Sequence, residues 1–193
     1  MEPYREERLR SGQTASLWHD GAPAPPITWS EPADTGVCVV GAGIAGLTTA
    51  YLLALEGAAV TVIDEKPVGG GETGRTTAHL ASALDDRFAN LEKRHGLERT
   101  RLHFQSHAAA IDRIETAVRA ERIGCDFARV DGLLFPGESK GLADLDEEYG
   151  AAVRVGVPGV ERTTAAHLNG GPAADCVRFP GQARFHPLKY LYG

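Results

Sequence analysis

Two short runs of β-branched and apolar residues frame the first part of the chain: Val37-Cys38-Val39-Val40 and Val60-Thr61-Val62-Ile63. The first, an unbroken apolar run, predicts a strand buried on both faces, and the second predicts the next strand. Cys38 accordingly reads as a core residue of the first. Between them Leu47, Ala50, Tyr51, Ala54 and Leu55 fall at i, i+3, i+4, i+7 and i+8, one apolar helical stripe that Leu52 and Leu53 widen. Gly57 follows Glu56 as a C-terminal cap. No hairpin signal lies between the two runs. The connection is therefore a crossover and the strands are expected to be parallel, a βαβ unit.

Later periodicities are weaker. A helix carrying Phe88 and Leu91 is expected, capped by Asp85 or Asp86 and ended by Gly96. A longer helix should cover about residues 97–122. Phe104, Ala108, Ile111, Ile114 and Val118 form its apolar face, and Glu115 and Arg119 an outward i,i+4 pair. Residues 126–130 and 132–136 read as a hairpin or two short strands, and Ser139 to Tyr149 as a helix. Ala174–Phe179 and Ala183–Phe185 read as strands on either side of a Pro180-Gly181 turn. Residues 1–35, with Pro23, Pro25 and Pro26, read as an extended tail whose Trp18 and Trp29 pack on the domain.

The chemistry sits where the first strand ends. Gly41-Ala42-Gly43-Ile44-Ala45-Gly46 follows it at once, and Asp64 closes the second strand. The first glycine permits a tight turn, the second lets backbone approach a pyrophosphate, and the third lets the helix pack closely. The helix offers unpaired N–H groups and the positive end of its dipole to an anion. The carboxylate can accept hydrogen bonds from both ribose hydroxyls of an adenosine. A G-x-G-x-x-G alone is weak in a chain with 23 glycines. Here strand, glycines, helix, strand and acid stand at the required spacing.

After Glu65-Lys66-Pro67-Val68 comes Gly69-Gly70-Gly71-Glu72-Thr73-Gly74-Arg75-Thr76-Thr77-Ala78-His79. Such a segment offers backbone N–H groups, hydroxyls and a guanidinium to phosphate oxygens. Nicotinamide dehydrogenases usually pass from the acid into another helix, so this insertion favours a flavin.

These two stretches resemble the amino end of FAD-dependent oxidoreductases of the D-amino-acid oxidase/glycine oxidase/sarcosine oxidase superfamily. Ser16-Leu17-Trp18-His19-Asp20, the Ala22–Pro25 lead-in and Thr73–Leu80 are similar to a bacterial branch that carries a carboxyl-terminal Rieske iron–sulfur domain. The resemblance implies an α/β fold: a Rossmann-like FAD-binding βαβ domain with part of an antiparallel substrate sheet. It places the βαβ unit and glycine segment in 36–80, and helices and partial substrate-domain strands in 81–193. Gly41, Gly43, Ile44, Ala45 and Gly46 would lie against the FAD pyrophosphate. Asp64, where the family more often has Glu, would hold the ribose, with Glu65 and Lys66 flanking the adenosine. Gly71, Thr73, Gly74, Arg75, Thr76 and Thr77 would run toward the flavin ring. The implied activity is oxidation of an amine or amino acid by hydride transfer to flavin, with no catalytic residue assigned. His79 is a candidate neighbour of the flavin ring, and His186 reads as a helix-start residue.

The 193 residues suffice for one domain but are short for that family. The chain is therefore expected to be a truncated amino-terminal piece. The net charge of −6 argues against nucleic acid. No run is long and apolar enough for a membrane span or a signal peptide, and a cytoplasmic setting is expected. Cys38, Cys125 and Cys176 are scattered, and none has a neighbouring His in Rieske spacing. A [2Fe-2S] cluster, if the full protein has one, would lie beyond Gly193. No metal site is expected; His103 and His107 share a helical spacing but lack a third ligand. Two other classes stay open: an NAD(P)-dependent dehydrogenase, and a non-catalytic nucleotide-binding fragment.

Overall fold

A computed structural model describes residues 16–20, 22, 24–25, 35–136, 141–166 and 172–193. The chain divides into two compact units. The first draws its described residues from Met1–Ala78, Glu121–Asp126 and Phe185–Gly193; the second is built from His79–Ala120 and Phe127–Arg184.

In the first unit β1 (Val37–Val40) and β2 (Val60–Ile63) pair in parallel, Val37 opposite Val60 through Val40 opposite Ile63. Helix α1 (Ile44–Leu55) makes the crossover. It ends as the sequence requires. Gly57 has φ +84, its N–H donates to the Ala54 carbonyl, and the Ala58 N–H donates to that of Leu53. This paired closure lets a left-handed glycine satisfy two end carbonyls. The expected burial of β1 on both faces is not met. Val37 and Val39 are half-buried, whereas Cys38 is exposed and Val40 is 79% exposed. A strand alternates its side chains, and α1 covers only one of the two faces. Cys38 is thus not a core residue.

Helix α5 (Pro187–Tyr192) also belongs to this unit. Pro187 occupies its first turn, where its missing N–H costs nothing. His186 is the N-cap: its Nδ1 accepts from the Lys189 N–H at 3.3 Å. Within the proline-rich lead-in Leu17–His19 forms a 3-10 turn rather than extended chain, capped by Ser16. Trp29 lies outside the described residues.

The second unit is an antiparallel sheet with three helices. The long strand β6 (Ala173–Arg184) pairs with β3 (His79–Leu80), β4 (Ala128–Leu134) and β5 (Glu161–Ala166). Two expectations fail here for one reason. The Pro180-Gly181 pair is no turn, and residues 126–136 are no hairpin. Val130 lies opposite Gln182 but Gly132 opposite Phe179, so β6 carries one extra residue against β4. A bulge tolerates proline, which cannot donate to the ladder, and Gly181 takes the left-handed φ of +77. Strand β5 carries no sequence signal of its own, because Glu161-Arg162-Thr163-Thr164 gives no apolar alternation.

Helices α2 (Phe88–His95), α3 (Leu97–Ala120) and α4 (Gly141–Val155) bury Phe88, Phe104, Leu145, Ala151, Ala152 and Val155 with Val177 and Phe179 of β6. Phe88 stands at its centre, with ring centroids 6.1 Å from Phe104 and 6.0 Å from Phe179. Ser139 lies outside the described residues. Glu115 does pair with Arg119, and it also accepts from Arg129 Nε at 2.8 Å.

The start of α2 corrects the capping expectation. Neither Asp85 nor Asp86 caps it; Arg87 is the N-cap, at φ +64, with no side-chain bond. The carboxylate of Glu148, from α4, accepts the Phe88 N–H at 2.8 Å and the Ala89 N–H at 3.0 Å. Glu148 is 3% exposed, so its buried oxygens are satisfied by the free N–H groups of a helix start. Glu148→Ala is expected to lower the unfolding free energy by about 3 kcal/mol in a urea titration, whereas Asp86→Ala should change it by less than about 0.5 kcal/mol.

Candidate cofactor site

The glycine motif folds as a strand-to-helix turn within the first unit. Gly41 has φ +109, a conformation that side chains disfavour, and its N–H donates to the Ile63 carbonyl at 2.8 Å. Gly43 is the N-cap of α1. A Cβ on Gly46 would stand 1.9 Å from the Gly41 carbonyl oxygen, so only glycine lets the helix approach the turn. Ile44 donates its N–H to Thr73 Oγ1 at 3.1 Å. No described residue accepts from the N–H groups of Ala45 or Gly46. These are donors at the positive end of a helix dipole, aimed as an anion requires.

Asp64 stands at the end of β2 beside this turn. Its Oδ2 accepts from the Ala42 N–H at 2.6 Å and its Oδ1 from the Lys66 N–H at 2.8 Å. A carboxylate has about four acceptor positions, so two bonds leave room for two hydroxyl donors. Lys66 is half-buried and Glu65 exposed.

The glycine segment folds back on the motif. Gly69 donates to the Ala42 carbonyl at 2.9 Å, and Gly74 to that of Gly69 at 3.1 Å. Residues Glu72–Arg75 form a 3-10 turn with Gly74 buried. A Cβ on Gly74 would lie 2.7 Å from the Gly69 carbonyl oxygen, whereas one on Gly71 would meet open space. The backbone of Gly71 is therefore free to approach a ligand. Thr76 Oγ1 accepts from the Ala78 N–H at 3.3 Å, and Thr77 is exposed. Thus Gly41, Gly43, Ile44, Ala45, Gly46, Asp64, Gly71, Thr73 and Gly74 are brought together in one unit, with Arg75, Thr76 and Thr77 continuing the segment. The donor set fits a dinucleotide: open N–H groups for linked phosphates, a carboxylate for a ribose.

His79 belongs to the second unit. It is exposed and lines a hollow of about 330 Å³ with Leu80, Leu84, Asp85, His107 and Ile111. His103 and His107 stack edge to face at 4.8 Å. Among the described residues no three His, Cys, Asp or Glu side chains form a metal-binding group, and no helix is long and apolar enough to cross a membrane. In the first unit Trp18 meets partners that its sequence neighbourhood does not mark. Its Nε1 donates to the Thr76 carbonyl at 2.8 Å, and its ring meets that of His186 edge to face at 5.1 Å. Only the two apolar rings hinted at packing.

A parallel βαβ unit with a glycine-capped helix and an acid-ended second strand defines a dinucleotide-binding protein. The chain belongs to the DAO family of FAD-dependent oxidoreductases, which it matches over residues 36–193. That membership decides between flavin and nicotinamide. The chain is 30% identical over 164 residues to the Bacillus subtilis protein YhfW, a Rieske 2Fe-2S iron–sulfur protein by name, covering 83% of this chain and 31% of the relative. It is 29% identical over 176 residues to gamma-glutamylputrescine oxidoreductase of Escherichia coli, covering 88% and 41%. The chain thus spans between about a third and two fifths of these relatives. In fold it is similar to L-amino acid deaminase from Proteus myxofaciens (TM-score 0.61, 18% identity, 89% of this chain and 38% of that one). L-proline dehydrogenase from P. horikoshii superposes with a TM-score of 0.55 at 20% identity, over 83% and 40%.

Two outcomes are expected at this site. Gly46→Ala should cost about 3 kcal/mol or more of stability by thermal melting, because a methyl cannot share space with the Gly41 carbonyl, while Gly71→Ala should stay within about 0.5 kcal/mol. The second concerns His186. Burial first, and then the Lys189 cation, hold its imidazole below the ordinary value of 6.5, against the opposing pull of Asp126. Its folded pKa lies below its unfolded one, so its contribution is complete above that ordinary value and is lost as pH falls through the folded pKa. His186→Asn caps without titrating, and should flatten the drop in melting temperature between about pH 7 and pH 5.

Proposed function

We propose that this chain is the FAD-binding portion of an oxidoreductase that oxidises a small amine or amino acid. The observation that carries the reading is the joint placement of the open α1 N–H groups, the Asp64 carboxylate and the uncovered Gly71 backbone in a single unit. Membership of the DAO family supports the cofactor, and the named activities of the relatives support the substrate class. The N–H groups of Ala45 and Gly46 would bind the pyrophosphate and Asp64 the ribose hydroxyls. Glu65 and Lys66 would flank the adenosine. The Gly71–Thr77 segment would line the path toward the flavin ring. When bound, FAD supplies the two-electron acceptor for a C–H bond beside an amine nitrogen; the chain's own residues hold and orient it. The likeness to a Rieske-named relative supports a [2Fe-2S] centre elsewhere in the full-length protein as the next electron carrier.

Titration of the flavin-stripped full-length protein tests this. FAD should bind and restore the yellow absorbance, NADH should not compete, and Asp64→Ala should raise the FAD dissociation constant about tenfold or more. A protein that takes up NADH and ignores FAD would be a nicotinamide enzyme. One that takes up neither would overturn the reading.

A further inference from the structure

We infer that Ser16–Asp20 is a strap that positions the cofactor loop, with Trp18 as its anchor. The segment lies outside the stretch matched by the family. It nevertheless reaches the residues that hold the loop. The turn is fixed internally: Ser16 Oγ accepts from the Trp18 N–H, and the Ser16 carbonyl from the His19 N–H at 3.2 Å. From that platform Trp18 makes two contacts with distant parts of the same unit. Its indole N–H donates to the Thr76 carbonyl at 2.8 Å, and its ring packs edge to face on His186. His186 is 9% exposed and is itself locked as the cap of α5. Next along the strap, His19 lies where a Cβ on Gly74 would come within 3.6 Å of its Nε2. Ala22, just beyond, is buried.

The consequence lies in how the loop is tethered. Its start is tied to the glycine motif through Gly69 and Ala42, and its middle through Thr73 and Ile44. Both ties reach only the turn around α1. Trp18 adds a tie at Thr76, as Tyr192 of α5 adds one at Val68. A glycine-rich segment has the largest backbone freedom to lose on ordering. Fixing Thr76 in the unliganded protein removes part of that cost before a ligand arrives, so the strap acts on affinity through preorganisation. Trp18 is thus a positioning residue, acting on the ligand through the loop backbone. The inference rests on the loop's being part of the FAD site, but its first readout does not need FAD.

The test uses the full-length protein with Trp18→Ala and Trp18→Phe. Amide hydrogen exchange on the flavin-stripped protein should show faster exchange at Thr73–Ala78 in Trp18→Ala, by about tenfold, with β1, β2 and the second unit unchanged. The phenylalanine variant keeps a ring on His186 and loses only the donor to Thr76. It should melt as the native protein does, yet weaken FAD by about threefold to tenfold and alter the fine structure of the bound flavin's visible absorbance. Loop exchange unchanged in Trp18→Ala would overturn the proposal. So would Trp18→Phe equal to native in affinity and spectrum, or faster exchange spread evenly over β1 and β2, which would make Trp18 a general packing residue. If native protein ignores FAD, the cofactor reading fails while the exchange result still decides the strap.

Discussion

Everything about the site depends on one steric fact: α1 approaches the turn after β1 so closely that no side chain fits at Gly46. With a hydrogen there, the Gly41 carbonyl can lie beneath the helix start. The turn can then reverse at Gly41, and the Ala42 N–H can reach the Asp64 carboxylate at the end of β2. Helix dipole and acid are consequently neighbours by construction. Displacing the helix outward by one methyl radius would part them, since the Ala42 donor is fixed by the backbone contact at Gly41 and Gly46.

The loop that follows Asp64 is organised by the same contact. Ala42 accepts from Gly69, and Thr73 takes the Ile44 N–H, so the two glycine-rich stretches hold each other. Backbone and side chains share the loop's polar groups: the Gly69 carbonyl takes the Gly74 N–H, and the Thr76 carbonyl takes the indole N–H of Trp18. Helix α5 closes on it from another side. A Cβ at Gly69 would meet Leu188 Cδ2 at 2.6 Å, and Tyr192 Oη donates to the Val68 carbonyl at 3.3 Å.

The sequence was readable where local chemistry and tertiary need coincide. Val37–Val40, Val60–Ile63, Gly57 and Gly96 carry their roles on their faces, because β-branched runs favour strands and left-handed caps demand few residue types. The Gly41–Gly46 motif and Asp64 were legible for the same reason. What could not be read came from partners far along the chain. Glu148 caps α2 from α4, replacing the nearer Asp85 and Asp86. Pro180-Gly181, a turn by local rules, became a bulge because β4 runs on past it. Cys38 looked buried because four apolar residues in a row usually are, yet only one face of β1 meets α1. Trp18 gave no local sign that its partners were Thr76 and His186.

The order of segments along the chain bears on how it comes to be folded. The second unit is written almost without interruption inside the first, since His79–Ala120 and Phe127–Arg184 lie between the βαβ unit and α5. On a ribosome the βαβ unit emerges early, but His186 and Tyr192, which grip Trp18 and Val68, emerge only after the whole of the other unit. Tyr192 and Val68 stand 124 positions apart, and contacts between such distant residues form slowly. The contacts that complete the nucleotide-binding unit therefore become available only after the chain of the second unit has been made.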